Sequence, residues 1–120
     1  SPHARIRTAA IGALGDQIQN LGDHDARQLL TEALRDENED VRAEASTLMG
    51  KLNDSQWALP LLVPNLNDAS PLVRRNTALS MMKLEDPSAI EALETRCEAE
   101  ADDAVRPILR LAINQLEQRA

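Results

Sequence analysis

Four arginines recur along this 120-residue chain, each directly after a β-branched apolar residue: Ile6-Arg7, Val41-Arg42, Val73-Arg74 and Val105-Arg106. A guanidinium offers five donors in a planar fork, which suits anions, carboxylates and backbone carbonyls alike. Two uses are open to such a set: an anion-binding stripe, or a structural ladder. Asp36 and Asp68 stand five residues before Val41 and Val73, which favours the ladder. Each arginine is expected to pair with turn acids and carbonyls of its own or a neighbouring unit.

The other reactive residue types are sparse. His3 and His24 have no Cys or His partner at ligand spacing. The acidic runs at 36–40 and 100–103 lack the Gly and terminal Glu of a calcium loop, so they read as helix-capping turns. Cys97 is the only cysteine, which excludes an intrachain disulfide, and it falls on an apolar stripe as a small buried hydrophobe. No Gly-rich phosphate loop is present, and no Ser or Cys nucleophile stands beside a His. No catalytic, cofactor-binding or metal-binding residue is expected, and the chain is not expected to be an enzyme.

Composition narrows the classes further. The net charge is −7 and Trp57 is the only aromatic residue, which argues against phosphate binding and base stacking. Arg74, Arg75 and Lys83 are too few to make a nucleic-acid surface. The longest near-apolar run, 58–64, is far too short to span a bilayer. Ala and Leu each occur 18 times, against 15 for Val, Ile and Thr together, so helices are expected rather than a sheet.

The arginine intervals are 35, 32 and 32 residues, and the residues after each arginine also repeat. Three residues on stand Ala10, Ala45, Thr77 and Leu109. Seven on stand Leu14, Met49, Met81 and Ile113. Ten on stand Gln17 (with Ile18 beside it), Leu52, Leu84 and Leu116. With the apolar residue before the arginine, these offsets trace one face of a helix. Leu30 and Leu34, Leu62 and Leu66, then Leu93 and Cys97 place a second helix before each of the last three stripes. Seven helices result, at about 2–20, 24–35, 39–52, 55–67, 71–84, 87–99 and 103–118. Ser1-Pro2, Ser70-Pro71 and Asp86-Pro87 read as N-caps with Pro at the first helical position. Pro64 should kink the fourth helix. The expected domain is 1–120, in units of about 1–20 (partial), 21–52, 53–84 and 85–120. The chain starts at Ser1 without Met, so it is expected to be part of a larger protein.

An acidic turn, Val-Arg and then small or apolar residues at helical spacing resembles the HEAT-repeat family. The likeness is closest to the short bacterial HEAT-like repeats also found in phycobilisome lyases. Asp68 to Arg74 and Asp36 to Arg42 carry it best, and Glu100 to Arg106 carries it with Glu in place of Asp. The resemblance implies an all-α, right-handed α-α superhelix, a solenoid of antiparallel helix pairs. It implies an interaction scaffold more than a chemistry. The di-iron hydroxylases of similar build use His-Glu motifs, and this chain has no such dipeptide. A lyase-like chromophore cleft is poorly supplied without Tyr or Phe.

In this architecture the second helices usually make the contacts. Offsets of about +1, +5, +8 and +9 from each arginine point away from the stripe. They place Arg75, Leu79, Met82, Lys83 and Leu111 on an expected exposed ridge as candidate partner-binding residues. Trp57 is expected to pack over a helix end. The expected function is a protein-protein interaction or assembly scaffold. The alternatives are a structural module of a longer solenoid or multidomain enzyme, and a bilin-lyase-like accessory factor. Self-association through the open N-terminal face is a further expectation. Cysteine usage fits either redox compartment.

Overall fold

Helix boundaries obey local capping chemistry. Asn38 starts one helix by accepting hydrogen bonds from the amides of Asp40 (2.8 Å) and Val41 (3.4 Å). Asp54 starts another by accepting from the amide of Trp57 at 3.3 Å. Ser70 Oγ accepts from the amide of Val73 at 3.4 Å, with Pro71 at the first helical position. The Ser1-Pro2 cap lies outside the described residues.

The computed structural model describes residues 2–21 and 24–120, with side chains for 3–13 and 26–120. Its helices are α1 (Pro2–Leu21), α2 (His24–Ala33), α3 (Glu39–Met49), α4 (Ser55–Leu62), α5 (Pro71–Leu84), α6 (Ile90–Ala99) and α7 (Arg106–Glu117). Two 3-10 segments, Val63–Asn67 and Pro87–Ala89, extend α4 and lead into α6. No strand occurs among the described residues.

The second and third helices end at Ala33 and Met49, short of the expected 35 and 52, and three further differences trace to proline. The fourth helix is not one kinked rod. Pro64 has no amide to donate, so the α-helix ends at Leu62 and tightens into a 3-10 turn. The sixth begins with the Pro87 turn, capped by Asp86, which accepts from the amide of Ser88 at 2.9 Å. The seventh starts at Arg106 rather than 103, because Pro107 is tolerated in a first turn and not further in. Asp102 closes the intervening turn by accepting from the amides of Ala104 (2.8 Å) and Val105 (3.3 Å).

Helices α1, α3, α5 and α7 pack in series as one layer. Helix α2, the α4 segment with its 3-10 turn, and α6 pack against α3, α5 and α7 as the other. The shortest dimension is 17 Å, the depth of two helix layers. The arginine-anchored stripe makes the core between them. Val41, Val73 and Val105 are buried, as are Ala45, Thr77 and Leu109, and Leu30, Leu34, Leu62, Leu66 and Leu93 meet them. Each such leucine stabilises the stack by about 1.5–3 kcal/mol over its exposed state. Cys97 is half-buried against this core.

The first unit departs from the pattern. Ile6 is 66 % exposed and Ala10 is exposed, although both hold the stripe's register. Among the described residues α1 packs only on α2 and α3, and no other helix covers this side of it. Leu14, Gln17 and Ile18 lie outside the described side chains.

At Gly50, the C-cap of α3, the backbone comes close against α5. A Cβ there would lie 2.8 Å from Ser80 Cα, and Ser80 Oγ donates to the carbonyls of Ser46 and Thr47. Gly12 in α1 is different: an added Cβ would meet Glu44 Oε1 at 3.5 Å, an ordinary contact. Gly50→Ala should therefore cost about 1–3 kcal/mol by overpacking. Gly12→Ala should gain about 0.5–1 kcal/mol through helix propensity. Thermal melts followed by circular dichroism should show shifts of opposite sign.

Candidate functional site

The four arginines form one continuous ladder. Arg7 forks Asp36 through Nε (2.8 Å) and Nη2 (3.0 Å). Arg42 forks Asp68 at 2.9 and 3.0 Å, and its Nη1 donates to the carbonyl of Asp36 at 2.8 Å. Arg74 forks Glu100 at 2.7 and 2.9 Å, and its Nη1 donates to the carbonyl of Asp68 at 2.8 Å. Arg106 donates through Nε and Nη2 to the carbonyl of Glu100, at 3.1 and 2.5 Å. Each acidic turn is thus held twice: its carboxylate by the preceding repeat, its carbonyl by its own repeat. The carboxylates of Asp36, Asp68 and Glu100 also accept from the amide two residues on, at 2.9, 2.9 and 3.1 Å. These arginines are committed to structure rather than to an anion.

The rungs deepen along the chain. Side-chain exposures are 37 and 14 % for Arg7 and Asp36, 18 and 12 % for Arg42 and Asp68, and 13 and 0 % for Arg74 and Glu100. The Arg7 fork is the largest influence on Asp36 and holds its carboxyl below the usual range. Burial would raise Asp68 and Glu100. The arginine forks and turn amides more than offset it, so both also lie below the usual range. Arg96 adds a second cation 3.4 Å from Glu100 Oε1.

Asn65 is a buried polar residue standing directly before Leu66, where Ala33 precedes Leu34 and Arg96 precedes Cys97 in the flanking units. Its Nδ2 donates to the carbonyl of Leu34 (3.4 Å) and to Ser46 Oγ (3.3 Å), and it accepts from Arg35. Trp57 is half-buried at the start of α4, with the Arg27 guanidinium 4.5 Å from its ring centroid. Arg27 also pairs with Asp54 at 2.9 Å. Trp57 therefore ties α2 to α4. His3 is exposed, and the side chain of His24 lies outside the described residues. Among the described residues no three His, Cys, Asp or Glu side chains gather as metal ligands. No helix there is long and apolar enough to cross a membrane.

The candidate ridge is split by the stacking. Arg75, Lys83 and Leu111 are exposed, but Leu79 is half-buried and Met82 is half-buried against the core. Offset +8 leads toward the next helix of the layer: Gly50, just past α3, is buried against Ser80 of α5, and Met82 is its α5 counterpart, whereas at offset +1 Ala43 is buried and Arg75 is exposed. Offsets +5 and +9 keep more solvent, at Thr47, Leu79, Leu111, Lys51 and Lys83. The expectation of an evenly exposed ridge thus fails at Leu79 and Met82, because a helical wheel does not say on which side the next repeat lies. Beside this row, an open groove of about 520 Å³ crosses the N-terminal halves of α1, α3 and α5. Arg5, Thr8, Asp40, Glu44, Leu72 and Asn76 are among its lining residues.

Stacked helix pairs, fused by a repeating arginine–carboxylate rung, define an α-solenoid repeat protein. The family described as HEAT repeats matches residues 29–114, and the chain belongs to it. The chain is also similar to the bilin biosynthesis protein MpeU of Synechococcus sp. (strain WH8020), with 37 % identity over 116 residues. That match takes in 97 % of this chain and 39 % of the relative, so the chain spans about two fifths of that protein's length.

Two outcomes test the ladder. Arg74→Gln should cost about 3 kcal/mol, because it strips one partner from a buried carboxylate while Arg96 stays in reach. Arg7→Gln, on the exposed rung, should shift the urea midpoint least, with Arg42→Gln between. The pH dependence comes from the lowered carboxyls. Their stabilisation is complete above the unfolded carboxyl pKa, about 4, and is lost as pH falls through the lower folded values. The melting temperature should stay level from pH 7 to 5 and drop below about pH 4.

Proposed function

We propose that this chain is a protein-binding scaffold segment of a larger bilin-biosynthesis-type protein, with no covalent chemistry of its own. The observation that supports the reading is the ladder: its arginines are consumed in holding the repeats, and what remains beside it includes an open groove of mixed charge. Arg75, Leu79, Met82, Lys83 and Leu111 are the proposed contact row. Arg75, Lys83 and Leu111 are its accessible members. Met82 is half-buried against the core and Leu79 is half-buried. A partner with a complementary basic surface would be drawn by the net charge of −7.

Direct pigment handling is the second reading, and the likeness to a bilin biosynthesis protein favours it. The groove supplies it poorly. A bilin carries two propionates and a long apolar conjugated system, whereas the groove sets Asp40 and Glu44 beside Arg5 and offers no aromatic. Trp57 is engaged with Arg27 elsewhere.

Mixing the full-length protein with biliverdin, and separately with a pigment-free bilin-accepting protein, separates the two. On the scaffold reading, biliverdin absorbance stays unchanged and the acceptor protein binds. Leu111→Glu with Lys83→Glu should then weaken that binding at least about tenfold while the melting temperature holds, since exposed substitutions change stability by less than about 0.5 kcal/mol. A shifted, intensified biliverdin band that the same variant abolishes would establish pigment handling instead.

A further inference from the structure

The groove of about 520 Å³ across α1, α3 and α5 holds charge that the fold does not use. Its uncharged polar side chains are engaged. Thr8 Oγ1 donates to the carbonyl of Ala4 at 2.9 Å, and Asn76 Nδ2 donates to the carbonyl of Ala43 at 3.4 Å. Asn38 caps α3. Three charged groups are left: Arg5 on α1, and Asp40 and Glu44 on α3. None of them makes a side-chain hydrogen bond or ion pair among the described residues. Asp40 has a structural use, since an acid in the first turn meets the positive end of the helix dipole. Glu44 has no such use. It is half-buried, and a like charge four residues away on one helix is unfavourable. Its Oε1 lies 3.5 Å from where a Cβ on Gly12 would stand, so the carboxylate reaches the α1 side of the groove. At the other end Leu72, in the first turn of α5, is 40 % exposed. The groove therefore sets a positive, a negative and an apolar group on three successive helices of one layer.

We infer that this groove binds an extended segment of a partner protein that carries an acidic, a basic and an apolar residue at intervals of three. Charge complementarity sets the order: the acid over Arg5, an arginine or lysine between Asp40 and Glu44, the apolar residue on Leu72. Helix spacing sets the interval. Packed helix axes lie about 8–10 Å apart. A polyproline II segment returns to the same side every three residues and advances about 9 Å in doing so. Its residues i, i+3 and i+6 then all face the groove, one over each helix. A β-strand alternates sides at each residue and would turn the middle one away. Ala9 and Ala43, with one methyl group each, leave room for a backbone between the charged side chains. The inference rests on the scaffold reading for its protein partner. It uses a different surface from Lys83 and Leu111, so either can fail without the other.

Fluorescence anisotropy with the full-length protein and dye-labelled heptapeptides tests it. One peptide has Glu, Arg and Leu at its first, fourth and seventh positions with Pro and Ser between; a second has the same sequence reversed, since either chain direction can satisfy the groove. One of them should bind. Glu44→Gln and Leu72→Ala should each weaken that binding at least about fivefold with the melting temperature unchanged. Glu44→Lys should abolish it, and a peptide with Glu in place of Arg should restore it, which a structural role for Glu44 would not do. Moving the Arg by one position should also abolish binding. Absence of binding by both peptides at protein concentrations up to about 1 mM would overturn the inference. So would equal binding by Glu44→Gln or by the peptide with the displaced Arg. Silent peptides beside an acceptor protein that still binds, and that Leu111→Glu with Lys83→Glu weakens, would end this inference and leave the scaffold reading standing.

Discussion

The structure depends on one bonding unit, the arginine that grips two consecutive acidic turns. Its Nε–Nη2 edge takes the next turn's carboxylate while its Nη1 takes its own turn's carbonyl, as in Arg42 and Arg74. A turn held in this way cannot slide against its neighbours, and the turns set where every subsequent helix begins. The apolar stripe supplies most of the favourable energy, but hydrophobic contact is non-directional. The fork supplies direction and fixes one stacking among several that would bury similar area. Lysine, a point donor, could not bridge both groups in one plane.

The same unit explains why the chain offers so little conventional chemistry. Its most concentrated charges meet one another instead of solvent. Burial of Glu100 without loss of its charge is possible only because two guanidiniums and an amide surround it. The side chains between rungs are those the ladder does not take up, and the repeat family to which the chain belongs serves many roles.

Much of this was legible in the residues. The Val-Arg period located the helix pairs, and the acid five residues before each Val pointed to the rungs. Ser70-Pro71 and Asp86-Pro87 marked two starts correctly. The rest was hidden for definable reasons. Leu79 and Met82 look solvent-facing on a wheel, because the direction of the neighbouring repeat is a tertiary fact. Ile6 matches Val41 in pattern yet is exposed, since periodicity predicts which face seeks cover and not whether cover exists. Asn65 holds a position that Ala33 and Arg96 hold in the flanking units, and only the proximity of Leu34 and Ser46 reveals its task. Pro107 was visible, but its effect on the start of α7 needed the competing turn closed by Asp102.

The spacing of the rung bears on how such a chain could lengthen. Acid and arginine are six residues apart in all three turns, Asp36 to Arg42, Asp68 to Arg74 and Glu100 to Arg106. The extra residue of the last unit falls ahead of Glu100, between it and Leu93, and leaves this spacing intact. Any contiguous stretch of 32 residues in the later part of the chain, wherever it is cut, therefore carries one rung acid and one rung arginine in phase. Tandem duplication of such a stretch would add a complete rung without needing matched ends. A repeat of this kind can be copied into a longer array by an imprecise genetic event and still close its bonds.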